Sequence, residues 1–290
     1  MNWTTRSING LVWIGLGTLA AATMGQAPAA APFVTHQLKP NVYWVEGGGG
    51  NSTVIVGDKG VIVVDVKVSK AGGQELLDDI AKITPKPVTT VILTHSDGDH
   101  INGLAAFPAG LKIIAQENNK KEQEAAIAAG GPGAPSPANL PNQVVIKTKE
   151  SVTIEGEKLE LYHWAPAHTS GDLVVYLPKE KIVATGDIVA VQDPYPRIHD
   201  EKHGSTEGWI ATAKGMAALD ADTFIPGHGG LQTKADIETR IRLSVERRDK
   251  IKAMVAQGKS LDEINAAFAD PTKRNYKSWT QVCYEELTKK

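Results

Sequence analysis

One cysteine, Cys283, in 290 residues excludes an intrachain disulfide, so the fold must rest on a packed core. Beyond the first thirty residues no apolar run approaches the roughly 20 residues that a membrane-crossing helix needs. Basic clusters with interleaved aromatics are absent, and 31 Lys and Arg nearly cancel 33 Asp and Glu. Both facts argue against a nucleic-acid surface. The one basic run, Arg247-Arg248-Asp249-Lys250, is expected as the solvated face of a helix. No internal repeat at a solenoid period is present. Cys283 lies between Trp279 and Leu287 at helical spacing, which suits a small buried hydrophobe better than a reactive thiol.

Residues 1–31 have a targeting pattern. Arg6 precedes a short apolar stretch, Ile8 to Ala22, and small residues follow in Gly25-Gln26-Ala27 and Pro28-Ala29-Ala30-Ala31. The expectation is a secretory signal peptide and an exported protein, periplasmic or extracellular, with 32–290 as a single domain ending in a helical segment. An uncleaved N-terminal anchor is the alternative. No stable membrane span is expected after cleavage.

Strand and helix signals alternate along the rest. Val42–Val45, Thr53–Val56 and Val61–Asp65 read as strands, the last two as a hairpin around Gly57-Asp58-Lys59-Gly60. Leu76, Leu77, Ile80 and Ile83 give helical periodicity over 70–83, and Pro85 and Pro87 end it. Thr89–Leu93 and 112–115 read as strands around a short helix over 102–107, and 118–129 as a helix. After a Gly/Pro-rich loop, strands are expected at 144–146, 152–154, 159–162, 173–177, 182–184 and 223–225. Helices are expected over 206–219, 234–257, 260–268 and 276–289. The mixture predicts an α/β (α+β) domain, two packed sheets with helices outside.

Four places carry ligand-type side chains, each behind a strand or in a turn, where a rigid scaffold presents functional groups. The densest is Thr94-His95-Ser96-Asp97-Gly98-Asp99-His100, with four potential metal ligands in six residues. A helix cap at Asp99 would need only one of them, so metal binding is the better account. His168 in Pro166–Asp172, Asp187 behind 182–184, and His228 in Pro226-Gly227-His228-Gly229 are weak signals alone. His199 and His203 lie in a polar segment that either overhangs the site or is a solvated loop. Gly47–Gly50 reads as a mobile flap or a plain flexible turn. His163 suits strand packing, and His36 an inert tail.

Taken in order, His-x-Asp-x-Asp-His, His, Gly-Asp and Pro-Gly-His-Gly resemble the motifs of the metallo-β-lactamase superfamily. The resemblance covers about Val42 to Phe268. It implies an αββα sandwich with a two-metal site at one edge of the sheets. It implies a first cation on His95 and His168, a second on Asp99, His100 and His228, and Asp187 bridging both. Thr94 and Asp65 would orient the loop. The family's remaining first-cation ligand is a histidine, and here that position is Asp97. Either Asp97 ligates or one site is weak. A third carboxylate would lower Lewis acidity and make iron or manganese more competitive with zinc, the metal expected first.

The implied activity is metal-dependent hydrolysis of a small-molecule substrate. A hydroxide held by two divalent cations would attack an ester, thioester, lactone, amide or phosphodiester, and Asp99 would orient it and move a proton. The best-known β-lactamase branches do not bridge their metals with this Asp, so β-lactam turnover is not favoured. A non-haem iron redox enzyme is the alternative that Asp97 motivates, and a non-catalytic metal-binding protein is a third reading.

Overall fold

Valine and isoleucine runs bounded by Gly/Asp turns build the first sheet. A computed structural model describes residues 33–131, 133–191, 194–269 and 276–289; the expected signal peptide lies outside the described residues. In the first half, β1 (Val34–Lys39), β2 (Val42–Glu46), β3 (Ser52–Val56) and β4 (Val61–Val64) precede α1 (Lys70–Ile83) and β5 (Val88–Ile92). Then come α2 (Gly98–Ile101), β6 (Lys112–Gln116), α3 (Glu117–Ala129) and β7 (Gln143–Val145). β1 to β7 form one sheet in sequence order, antiparallel up to β4 and parallel from β4 to β7. The change falls at α1, because a parallel pair needs a crossover.

The second half contains β8 (Lys149–Ile154), β9 (Glu157–Tyr162), β10 (Val174–Leu177) and β11 (Ile182–Ala190). It continues with α4 (Thr206–Ala217), β12 (Thr223–His228), α5 (Lys234–Ala256), α6 (Leu261–Phe268) and α7 (Trp279–Thr288). Its sheet has the order β12-β11-β10-β9-β8, and only β11 and β12 run parallel.

Period-two alternation sorts these strands into layers. Ile62 and Val64 share a core with Leu159, Leu161, Val175 and Leu177 of the second sheet. Val61 and Val63, on the opposite face, pack with Leu76 and Ile80 of α1. The outer face of the second sheet, Val174, Tyr176 and Val183, is covered by Trp209 and Met216 of α4, Ile237 of α5 and Trp279 of α7. This is the expected αββα sandwich. Each fully buried aliphatic side chain contributes roughly 1.5–3 kcal/mol, so strands buried on both faces are a rigid base for the loops at their ends.

Several expectations need correction. β1 was unmarked in the sequence; His36 belongs to it, stacked 4.5 Å from Trp44 and 3.4 Å from Glu46, and is not in a tail. β11 continues to Ala190 instead of ending at Ala184. The basic run is not a solvated face. Arg247 is buried, its guanidinium 4.1 Å from the Tyr195 ring and 4.5 Å from Phe268. Arg248 pairs with Glu286 at 2.7 Å and Glu207 at 2.9 Å. Aromatic and acidic neighbours from other elements make these arginines packing residues of α5. Cys283 is fully buried with Ile251 and Ile264. No helix among the described residues is long and apolar enough to cross a membrane.

Candidate metal centre

Parallel strands collect functional groups at their carboxyl ends, and this molecule has two such sets facing one another. Asp65 follows β4, and His95 to His100 follow β5. Asp187 lies within β11, and His228 ends β12. Two irregularities in the β11–β12 register, on either side of Gly186, turn Asp187 toward the centre. Gly227 is required opposite it: a Cβ there would stand 1.9 Å from Asp187 Oδ1. His168 comes from the loop between β9 and β10.

The structure brings all seven expected ligand side chains together as two adjacent groups. His95, Asp97, His168 and Asp187 offer donor atoms within 4.8 Å of one another, as do Asp99, His100 and His228. Asp187 lies between them. Its Oδ2 is 4.0 Å from His95 Nε2, 3.8 Å from His168 Nε2 and 3.3 Å from His228 Nε2, and its Oδ1 is 3.2 Å from His100 Nε2. Asp99 Oδ2 is 3.0 Å from His228 Nε2, and Asp97 Oδ2 is 3.3 Å from His168 Nε2.

Hydrogen bonds behind the rings fix which nitrogen faces inward. Asp65 accepts from Thr94 N at 2.8 Å, Thr94 Oγ1 at 2.7 Å and His100 Nδ1 at 2.7 Å. The Thr94 hydroxyl has one proton and gives it to Asp65. It therefore accepts from His95 Nδ1, 2.8 Å away. His168 Nδ1 donates to the Arg197 carbonyl at 2.9 Å. Three imidazoles thus spend Nδ1–H outward and present Nε2 inward, as metal-binding histidines do.

Without cations, the carboxylates of the centre hold protons on its imidazoles. Burial opposes a charge on His168, yet Asp97 and Asp187 hold its pKa up at about 9. Burial also opposes charge on His228, and Asp187 and Asp99 again hold its pKa up at about 9. His100 is raised well above the usual value, because Asp187 and Asp65 outweigh its burial. His95 is pushed well below it, by burial first and by neighbouring His100 second. Buried His95 Nε2 and Asp187 Oδ1 have no hydrogen-bond partner. Orphaned inward atoms, three carboxylates and four inward imidazoles fit divalent cations, and these nitrogen and oxygen donors suit zinc, iron or manganese.

Sequence reasoning left one residue undecided that the structure puts here. His199 is buried, its ring edge-on to His168 at 4.7 Å, and its Nε2 is 3.1 Å from Asp97 Oδ2. Its Nδ1 donates to Glu201. The placement comes from a tertiary contact, His199 N donating to the His168 carbonyl at 2.8 Å, which no local motif announces. His203 is exposed, and His163 is turned to the Asp172 carbonyl. Gly47–Gly50 lies beside the centre, as a flap near the metals would. Buried Lys67 donates to the carbonyls of Val45, Gly47 and Gly50 at 2.8, 2.7 and 3.1 Å, and Gly50 packs so close to His100 that a Cβ would meet its ring at 2.3 Å.

Asp65 has φ +58, a conformation Asn also tolerates, so Asp65→Asn tests its role without breaking the turn. An amide has one acceptor oxygen for these three donors, so its NH2 must face either Thr94 N or the pair Thr94 Oγ1 and His100 Nδ1. The second cation is expected to bind 10–100-fold more weakly, the range for lost outer partners, as read by competition with a chromophoric chelator.

Over these groups lies a cavity of about 240 Å³ with Asp97, Asp99, Asp187 and His228 as its floor and Ala190, Tyr195, Arg197 and Tyr276 as its wall. The Arg197 guanidinium stacks 4.5 Å from the Tyr276 ring.

Residues 45–228 match the family model described as the metallo-beta-lactamase superfamily. The chain is 28% identical over 211 residues to 2,4-dinitroanisole O-demethylase subunit alpha of Nocardioides sp., covering 72% of this chain and 61% of that protein. It is 26% identical over 238 residues to a metallo-beta-lactamase of Chryseobacterium indologenes, covering 80% and 95%. A stereoselective inverting sec-alkylsulfatase from Pseudomonas sp. shares the fold with a TM-score of 0.67 at 18% identity, over 88% of this chain and 50% of that chain. The chain therefore spans only part of the demethylase subunit and half of the sulfatase.

Proposed function

Since this chain belongs to the metallo-beta-lactamase superfamily, we propose that it is an exported hydrolase that uses two divalent cations, zinc first, on a small ester-like substrate. The observation that carries this reading is the place of Asp187, grouped with His95, Asp97 and His168 and also 3.2 Å from His100 and 3.3 Å from His228 of the other group. His95, Asp97 and His168 would hold one cation, and Asp99, His100 and His228 the other. Bound cations would supply Lewis acidity, making water ionisable near neutral pH and polarising the electrophile.

The chain's own residues do the rest. Asp99 has the most exposed of the three carboxylates, 31% against 14% for Asp97 and 11% for Asp187. Burial pushes its carboxyl up, but the bond to His228 and the charge of His100 hold it below the usual range. It is therefore ionised at neutral pH and can take a proton from an attacking water and pass it to the leaving group. Arg197 gives the cavity wall a cation beside two tyrosines. That lining suits an anionic substrate with an apolar portion, and makes sulfate esters the first class to try. The sulfatase structure supports the same choice.

The demethylase relative makes an activated aryl methyl ether the second class. The test is a panel of sulfate ester, carboxylic ester, thioester, lactone, phosphodiester, β-lactam and aryl methyl ether, run on zinc-, manganese- and iron-loaded protein. Turnover of an ester by the zinc form is expected. Turnover that requires iron and a reductant, with none by the zinc form, would replace hydrolysis with redox chemistry.

A further inference from the structure

Lys202 belongs to none of the ligand motifs, yet its Nζ lies 2.5 Å from Asp97 Oδ1 and donates to Ser96 Oγ at 3.0 Å. Its backbone is tied to the opposite side of the centre, where its carbonyl accepts from Ser170 N at 2.9 Å, two residues beyond His168. The side chain thus reaches from the His168 loop to the His95–His100 loop. Ser96 continues the network by donating to Glu122, which also accepts from Ser170 Oγ at 2.7 Å. Asp97 is gripped at both oxygens: Oδ1 by Lys202, while Oδ2 faces His168 at 3.3 Å, His199 at 3.1 Å and His95 at 3.8 Å.

The charges explain why the grip matters. The superfamily pattern has a neutral imidazole where this chain has Asp97. A carboxylate adds one negative charge to a centre that already holds Asp99 and Asp187. The Lys202 ammonium returns one positive charge. We propose that Lys202 is a positioning residue that lets Asp97 serve in place of a histidine: it cancels the extra charge and occupies Oδ1, so that Oδ2 alone is offered to the first cation. The expectation that Asp97 tips the centre toward iron or manganese counted carboxylates and left this ammonium out. The inference rests on the reading that the seven side chains hold two cations.

The test is metal stoichiometry by elemental analysis and chelator competition on wild type, K202M, K202R, D97H and D97H/K202M. In wild type, K202M frees the carboxylate from its fixed orientation and should release the first cation at a lower chelator concentration. In D97H the ammonium is left facing an imidazole, so adding K202M should improve retention. Opposite effects in the two backgrounds, differing by about tenfold, are expected for residues in direct contact. K202R, which keeps charge and reach, should behave as wild type. If D97H does not fold, the pair K202M and K202R still decides: about tenfold easier release in K202M only supports the role, and equal retention in both overturns it. K202M acting equally in both backgrounds also overturns it. A wild-type protein that binds no cations would instead sink the two-cation reading.

Discussion

Asp187→Asn is expected to lower kcat/KM by about 10³-fold and to deplete both cations. The estimate follows from Lewis-acid stabilisation worth several kcal/mol, at 1.36 kcal/mol per tenfold in rate. Asp187 is 11% exposed and faces four imidazoles within 4.0 Å. Burial pushes its carboxyl up, but the neighbouring charge of His100 holds it well below the usual range, so it is an anion. Asparagine keeps the shape and removes that charge and one acceptor. The amide would also aim N–H donors at a place built to receive cations. Measured kcat/KM together with metal content per chain checks this. Unchanged turnover with full metal content would remove Asp187 from the reaction.

Stripping the cations with a chelator is expected to lower the thermal midpoint by roughly 10 °C. Two cations, each present at about 100 times its Kd, stabilise by about 5 kcal/mol together, and 1 kcal/mol moves a domain of this size by roughly 2–4 °C. The pH dependence has a definite sign. A cation must displace the Nε2 protons of His168 and His228, whose pKa values are held up at about 9. Affinity should therefore rise from pH 6 toward 9, and the gap between metal-loaded and chelated midpoints should widen over the same range. Differential scanning fluorimetry at pH 6, 7.5 and 9 reads it. A gap that is flat or narrows with pH would show that protons and cations do not compete for these nitrogens.

The layers were legible because burial leaves a period. α1 was readable from 3.6-residue spacing and the prolines beyond it, and Ser69 caps it as its side chain accepts from Gly72 N. The ligand loop was legible because it concentrates four donors behind a buried strand. Other features depend on contacts between distant segments. β11 seemed to end at Ala184 because Gly186 and Asp187 look like a turn; the strand instead carries them as a register irregularity, where the site sits. Arg247 looked solvated because a charge run says nothing of the aromatic rings that meet it from elsewhere. The tie on the glycine run was not legible because Lys67, seventeen residues past Gly50, gave no sign that it donates back to it. Lys202 and Asp97 are 105 residues apart, and their pairing exists only once the two loops face each other.

X-ray diffraction collected on either side of the bound metal's absorption edge would test the centre most directly. Two anomalous peaks per chain are expected, one among His95, Asp97, His168 and Asp187 and one among Asp99, His100, His228 and Asp187. Peaks bound elsewhere, with none touching Asp187, would contradict a shared two-cation centre.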